Sequence, residues 1–192
     1  MTDKPRNPRR RRFLTAATAA ASGSIISCRG AKSAWRFFSE EEAATAAAVS
    51  ECLIPTDEFP GAAWAGVVNF MDRQLKGHYR RHQKTYRDGL RGVNQTSEAL
   101  FGAGFVRLEP NQQAAVLEAL EKGEPPGEIW KNMSSRSFVD LVLTHTMQGY
   151  YGDPRHGGNR DAMSWRMLGI PLSPIRGREQ YDLRSDRQGA GA

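Results

Sequence analysis

The stretch Ser134-Ser135-Arg136-Ser137-Phe138-Val139-Asp140-Leu141-Val142-Leu143-Thr144-His145-Thr146-Met147-Gln148-Gly149-Tyr150-Tyr151-Gly152-Asp153-Pro154 reads as a helix followed by a stop. Phe138, Leu141, Val142 and His145 recur at three- and four-residue spacing, which lines one face of a helix. Ser134 or Ser135 can cap its start. Gly152 and Asp153-Pro154 begin a turn. The same period appears in most segments upstream, and runs of alternating β-branched residues with hairpin turns appear nowhere. The chain is therefore expected to be all-α: a compact bundle of about six or seven helices with Gly/Pro-rich connecting loops and no significant sheet.

Upstream, Ser39-Glu40-Glu41-Glu42 has the form of a capping box, with the Ser and the Glu three residues on satisfying each other's exposed amides. Ala43, Ala46, Ala47, Val49, Leu53 and Ile54 follow at mostly helical spacing until Pro55 stops the helix. A second helix is expected over Ala62–Leu75, with Val67, Val68, Met71 and Leu75 on one face and Gly77 as its end. A third, from about His78 to Leu100, carries the apolar stripe Tyr79, Tyr86, Leu90, Val93 and Leu100. Its other face carries Arg80, Lys84, Arg87 and Arg91, either a solvated face or a docking surface for an acidic partner. Pro110 suits a helix start, and Ala114, Val116, Leu117 and Leu120 continue it to Lys122-Gly123. Ile129-Trp130 belongs to a brief turn.

The chain has 192 residues, enough for one domain with tails, and a formal charge of +6. The excess sits at one end: Lys4, Arg6, Arg9, Arg10, Arg11, Arg12 and Arg29 face only Asp3 within residues 1–30, and residues 31–192 carry as many acids as bases. Nucleic-acid binding is not expected of such a body. Arg10-Arg11-Arg12-Phe13-Leu14 fits the twin-arginine export pattern, with Arg10, Arg11, Phe13 and Leu14 as its marked positions. The weakly apolar run Thr15–Ser27 is too short to span a bilayer, which needs ~20 residues. Ile25-Ile26-Ser27-Cys28 has the form of a lipobox that would make Cys28 a lipidated N-terminus; ordinary cleavage near Ser27 or Gly30 is the alternative. Residues 1–30 are thus expected to be a twin-arginine signal segment, 31–173 the helical domain, and 174–192 an extended or disordered tail. The expected destination is the periplasm. With two cysteines and no Cys-x-x-Cys pair, haem attachment, an iron–sulfur cluster and a Cys-based zinc site within the chain are excluded.

The stretch from Thr144 to Pro171 concentrates the candidate chemistry. His145, Asp153 and His156 have the ligand types of a metal site. His145 or His156 could act in acid/base catalysis, although no partner set accompanies them. Tyr150, Tyr151, Trp165 and several arginines are residue types that anchor interfaces, and the glycines permit turns and close approaches. The stretch could equally close the domain's own core. His78 and His82 stand four apart among Arg and Lys, with no third ligand.

Leu53-Ile54-Pro55-Thr56-Asp57 with Pro60-Gly61-Ala62, Gly66-Val67-Val68, Asp72-Arg73-Gln74-Leu75, Phe101-Gly102, and above all His145 through Pro154, Gly157-Gly158-Asn159-Arg160 and Trp165-Arg166-Met167-Leu168-Gly169, resemble the gluconate 2-dehydrogenase subunit 3 family over about residues 38–171. The resemblance implies a small, non-catalytic subunit with no cofactor of its own. Its implied partners are an FAD-dependent dehydrogenase of glucose–methanol–choline type acting on sugars or sugar acids, a multihaem cytochrome c with c-type haem, and the twin-arginine translocase. His145, Gln148, Gly149, Tyr150, Tyr151, Asp153, Arg155, Asn159, Arg160 and Trp165 are then expected to be interface or loop-structural residues. The alternative is a self-contained periplasmic enzyme or metal-binding protein using His145, Asp153 and His156.

Overall fold

The computed structural model describes residues 34–170. The twin-arginine positions, Cys28 and the 174–192 tail lie outside the described residues. The described chain folds into six α-helices: α1 (Glu40–Leu53), α2 (Val67–Lys76), α3 (Gln83–Phe101), α4 (Pro110–Lys122), α5 (Ser135–Tyr151) and α6 (Met163–Met167). Short 3-10 turns connect several of them, and the described residues form no strand. The all-α expectation holds.

Local chemistry sets most helix ends. Ser39 accepts from the amide of Glu42, and the Glu42 carboxylate accepts from the amide of Ser39, completing the capping box of α1. Pro110 stands in the first turn of α4, where its missing N–H costs nothing. Ser134 caps α5 by accepting from Ser137.

Two helices begin later than their periodicity suggests. α2 starts at Val67 instead of Ala62 because Gly66 takes a left-handed conformation, φ 73°, which a helix cannot continue through. Residues Arg80–His82 form a 3-10 turn before α3, so Tyr79 is not on the α3 face. Leu100, expected on the apolar stripe, is 44% exposed at the end of α3.

The small residues of α1 (Ala43, Thr45, Ala46, Ser50) are buried. Such a helix lets neighbours approach closely, and α1 packs against α2, α3, α4 and α5. α3 and α5 run antiparallel. Tyr86 meets His145, while three residues further along α3 Gly89 abuts Phe138, and Gly92 abuts Trp130. The core between them holds Tyr86, Leu90, Val93, Phe105, Val116, Leu120, Phe138 and Val142. Before α1, Phe37 and Phe38 are buried and the amides of Arg36, Phe37 and Phe38 all donate to the carboxylate of Asp72 on α2, at 2.8, 2.8 and 3.1 Å. A buried carboxylate is stable only with such donors. Among the described residues no helix is long and apolar enough to cross a membrane.

Candidate functional site

The loop after α5 is locked onto the helix that precedes it. Gly149 faces Val67 and Phe70 of α2 across less space than a side chain needs, and a Cβ at Gly158 would overlap the carbonyl of Gly149. The backbone at 158 therefore lies directly on α5. Asn159 is fully buried in a left-handed conformation, φ 44°. Its Nδ2 donates to the carbonyl of Gly152 at 2.8 Å, and its Oδ1 accepts from the amide of Ser164 at 3.0 Å. One side chain thus ties the end of α5 to the start of α6. Trp165 adds a second tie, its indole N–H donating to the carbonyl of Tyr151 at 2.8 Å. Asp161 and Ala162 also adopt positive φ, 56° and 52°. For residues bearing a Cβ such conformations cost about 1–2 kcal/mol each and persist only where surrounding bonds impose them.

A second loop, residues 54–66, leans on the first. Glu51 organises it: one carboxylate oxygen accepts from the amide and hydroxyl of Thr56 at 2.9 and 2.7 Å, and the other from the amide of Ala63 at 2.8 Å. The Tyr150 hydroxyl donates to the carbonyl of Pro60 at 2.8 Å, and the amide of Arg160 to the carbonyl of Ala65 at 3.0 Å. The joined loops present Trp64 and Tyr151, 42% and 38% exposed, and the Arg160 guanidinium stands 5.4 Å over the Trp64 ring.

His145 lies roughly two turns before the end of α5 and is buried. Its ring stacks on Tyr79 at 4.1 Å and lies parallel to Tyr86 at 5.8 Å. The Tyr86 hydroxyl and His145 Nδ1 share a hydrogen bond of 2.8 Å. Burial, then the charges of His82 and Arg81, pull the His145 pKa from 6.5 down to about 4, so the imidazole is neutral at neutral pH. Burial pushes the Tyr86 phenol up. Tyr79 donates to the side-chain carbonyl of exposed Gln148. Asp153 binds Arg155 through its amide, Nε and Nη2 at 2.9, 2.9 and 2.7 Å, and the guanidinium lowers the carboxyl pKa. The structure does not gather His145, Asp153 and His156 into a ligand set: among the described residues no three His, Cys, Asp or Glu side chains converge as a metal would require. The His145 ring stacks with those of Tyr79 and Tyr86 in the α3–α5 seam, and the Asp153 carboxylate is engaged by Arg155.

The family model described as gluconate 2-dehydrogenase subunit 3 matches residues 40–171, more than half of the chain. The chain belongs to the gluconate 2-dehydrogenase subunit 3 family. Searches of curated proteins and of solved structures find no match. As a member of that family the protein is a subunit of a larger dehydrogenase assembly, and other subunits are implied.

The residues singled out from the subunit's sequence divide by place. His145, Gly149, Tyr150 and Asn159 are buried, Trp165 and Asp153 are half-buried, and Gln148, Tyr151, Arg155 and Arg160 are exposed. The roles of three further residues were not legible for lack of a local signal, although Asp72 stands in one of the blocks that carry the family resemblance. Glu51 lies on α1 ahead of the loop it clamps, Asp72 binds amides 34–36 residues earlier, and Trp64 sits in a segment read as helix. Only the half-buried glutamate shortly before Pro55 and the aspartate within an otherwise apolar α2 face hinted at the first two.

Proposed function

We propose that this protein is the non-catalytic small subunit of a periplasmic FAD-dependent dehydrogenase acting on sugars or sugar acids, and that it escorts and stabilises the catalytic flavoprotein. The observation that carries the proposal is the family match across residues 40–171. It is supported by the residues of the C-terminal block: Asn159, Gly158 and Trp165 hold the loop after α5, and together with the joined loop 54–66 it presents Trp64, Tyr151 and Arg160, types that anchor protein interfaces. In this proposal FAD sits in the flavoprotein and c-type haem in a multihaem cytochrome c that receives the electrons. Arg10-Arg11-x-Phe13-Leu14 would bring the folded pair through the twin-arginine translocase, and acylation at Cys28 would add a membrane anchor.

The escort role is tested by replacing Arg10 and Arg11 with Lys and following the flavoprotein in periplasmic fractions. The expected result is its retention in the cytoplasm. Normal periplasmic amounts would show that export of the flavoprotein does not depend on this chain. The subunit role is tested by assaying dye reduction with sugars and sugar acids, using the purified chain free of any flavoprotein. No turnover is expected, and turnover would return the assignment to a self-contained enzyme.

A further inference from the structure

Exposed cations without carboxylate partners gather where α2 ends and where the loop after α5 crosses it. Arg73 and Lys76 lie three apart in the last turn of α2, on one face. Arg80 and Arg81 follow in the 3-10 turn. All four are exposed. Among the described residues no carboxylate pairs with any of them. The cations further along behave differently: Lys84 and Arg91 both pair with Asp88, and Arg87 pairs with Glu42 at 3.0 Å. The basic face of α3 legible in the sequence is thus largely neutralised, and the uncompensated charge lies just before it.

Arg73 carries this charge onto the loop. It donates to the carbonyl of Arg155 at 3.4 Å, and its guanidinium lies against Gly157, where a Cβ would be 3.0–3.1 Å away. On the other side of Gly157, Arg160 stands over Trp64 and likewise lacks a carboxylate partner among the described residues. Nearby acids do not compensate. Asp153 is held by Arg155, and exposed Asp161 pairs with none of these cations. Crowded like charges disfavour the free surface and are relieved by a partner that brings carboxylates.

We propose that Arg73, Lys76, Arg80, Arg81 and Arg160, with Trp64, form a docking strip for an acidic segment of the partner flavoprotein. The guanidiniums take Asp and Glu carboxylates in forked pairs, and Trp64 packs on an apolar residue between them. This rests on the subunit assignment above. A protein partner fits better than a polyanion because exposed Trp64, Met147 and Tyr151 lie on the same helix ends and loops. Residues 31–192 also carry balanced charge, so the field is local.

The test uses the full-length tagged chain produced with its flavoprotein. The variants are Arg73→Glu/Arg160→Glu, Arg80→Glu/Arg81→Glu and Trp64→Ala, with Lys84→Glu/Arg91→Glu as the control pair. The strip residues are exposed and form no ion pair among the described residues, but Arg73 bonds the Arg155 carbonyl and Arg160 lies over Trp64. A thermal unfolding curve is therefore taken for each variant, and only those that melt within a few degrees of wild type are scored for docking, which separates lost docking from lost folding. The expected result is a drop of about tenfold or more in co-purified flavin for the strip variants, little change for the control pair, and release of the wild-type complex by salt. Equal recovery with all variants overturns the strip while leaving the subunit assignment intact. If no flavoprotein accompanies even the wild type, the subunit assignment fails. The strip is then judged by retention of the chain on immobilised poly-glutamate, and absence of retention overturns it. Equal or tighter binding to duplex DNA or to phosphatidylglycerol vesicles also overturns it, in favour of a polyanion or a membrane surface.

Discussion

Asn159 and Asp72 each satisfy several backbone groups with one side chain. Asn159→Ala removes both hydrogen bonds at a buried left-handed position and is expected to cost about 2–4 kcal/mol in urea unfolding. Asn159→Gly, which tolerates the conformation, should cost less; an equal cost would mean that the hydrogen bonds alone matter. Ala162→Gly should change stability by no more than about 1 kcal/mol, because relief of the positive φ is opposed by added freedom in the unfolded chain. The sequence showed that Asn159 sat in a turn-rich block, because Gly157-Gly158-Asn159 is local. It could not show what Asp72 does, because the three amides it binds arrive from before α1 and only the folded chain brings them there.

At the scale of elements, the α3–α5 seam decides how the bundle responds to substitution and to pH. Gly89 gives Phe138 its place, so Gly89→Ala is expected to destabilise by about 1–3 kcal/mol through overpacking. His145 sits in the same seam with a folded pKa near 4 against an unfolded value of 6.5. Between those values the unfolded chain is protonated at this site and the folded chain is not. Stability therefore falls as pH drops from 6.5 towards 4, by at most about 1.4 kcal/mol per unit from this group, and levels off below. Chemical unfolding across that range should show the slope in the wild type and a shallower one in His145→Gln. The charges facing the ring, His82 and Arg81, act in the same direction. Periodicity made α1, α4 and α5 legible because their caps are local: Ser39 with Glu42, Pro110, and Ser134. It misplaced the start of α2 because a glycine in a left-handed conformation and a carboxylate clamp from Glu51 hold residues 62–66 as turns, and neither is visible in an apolar period.

For the molecule as a whole, the boundary of the folded body lies earlier than α1. Phe37 and Phe38 belong to the core, so deleting residues 1–38 should lower stability by several kcal/mol, from lost burial of about 1.5–3 kcal/mol per Phe and an abandoned carboxylate at Asp72. Thermal scans of that truncation against the full chain check the loss. The helical class and the C-terminal block could be read in the residues, while the grouping of unpaired cations at the end of α2 could not, because pairing partners are set by packing. The attachment of residues 36–38 to Asp72 also has a mechanical meaning. A pull applied from the N-terminal side of Trp35 loads the bond from its indole to Glu40 and the three amide–carboxylate bonds before it reaches any helix–helix contact. The resistance of this body to being drawn out from its leading end therefore rests in large part on one aspartate, which holds three consecutive amides.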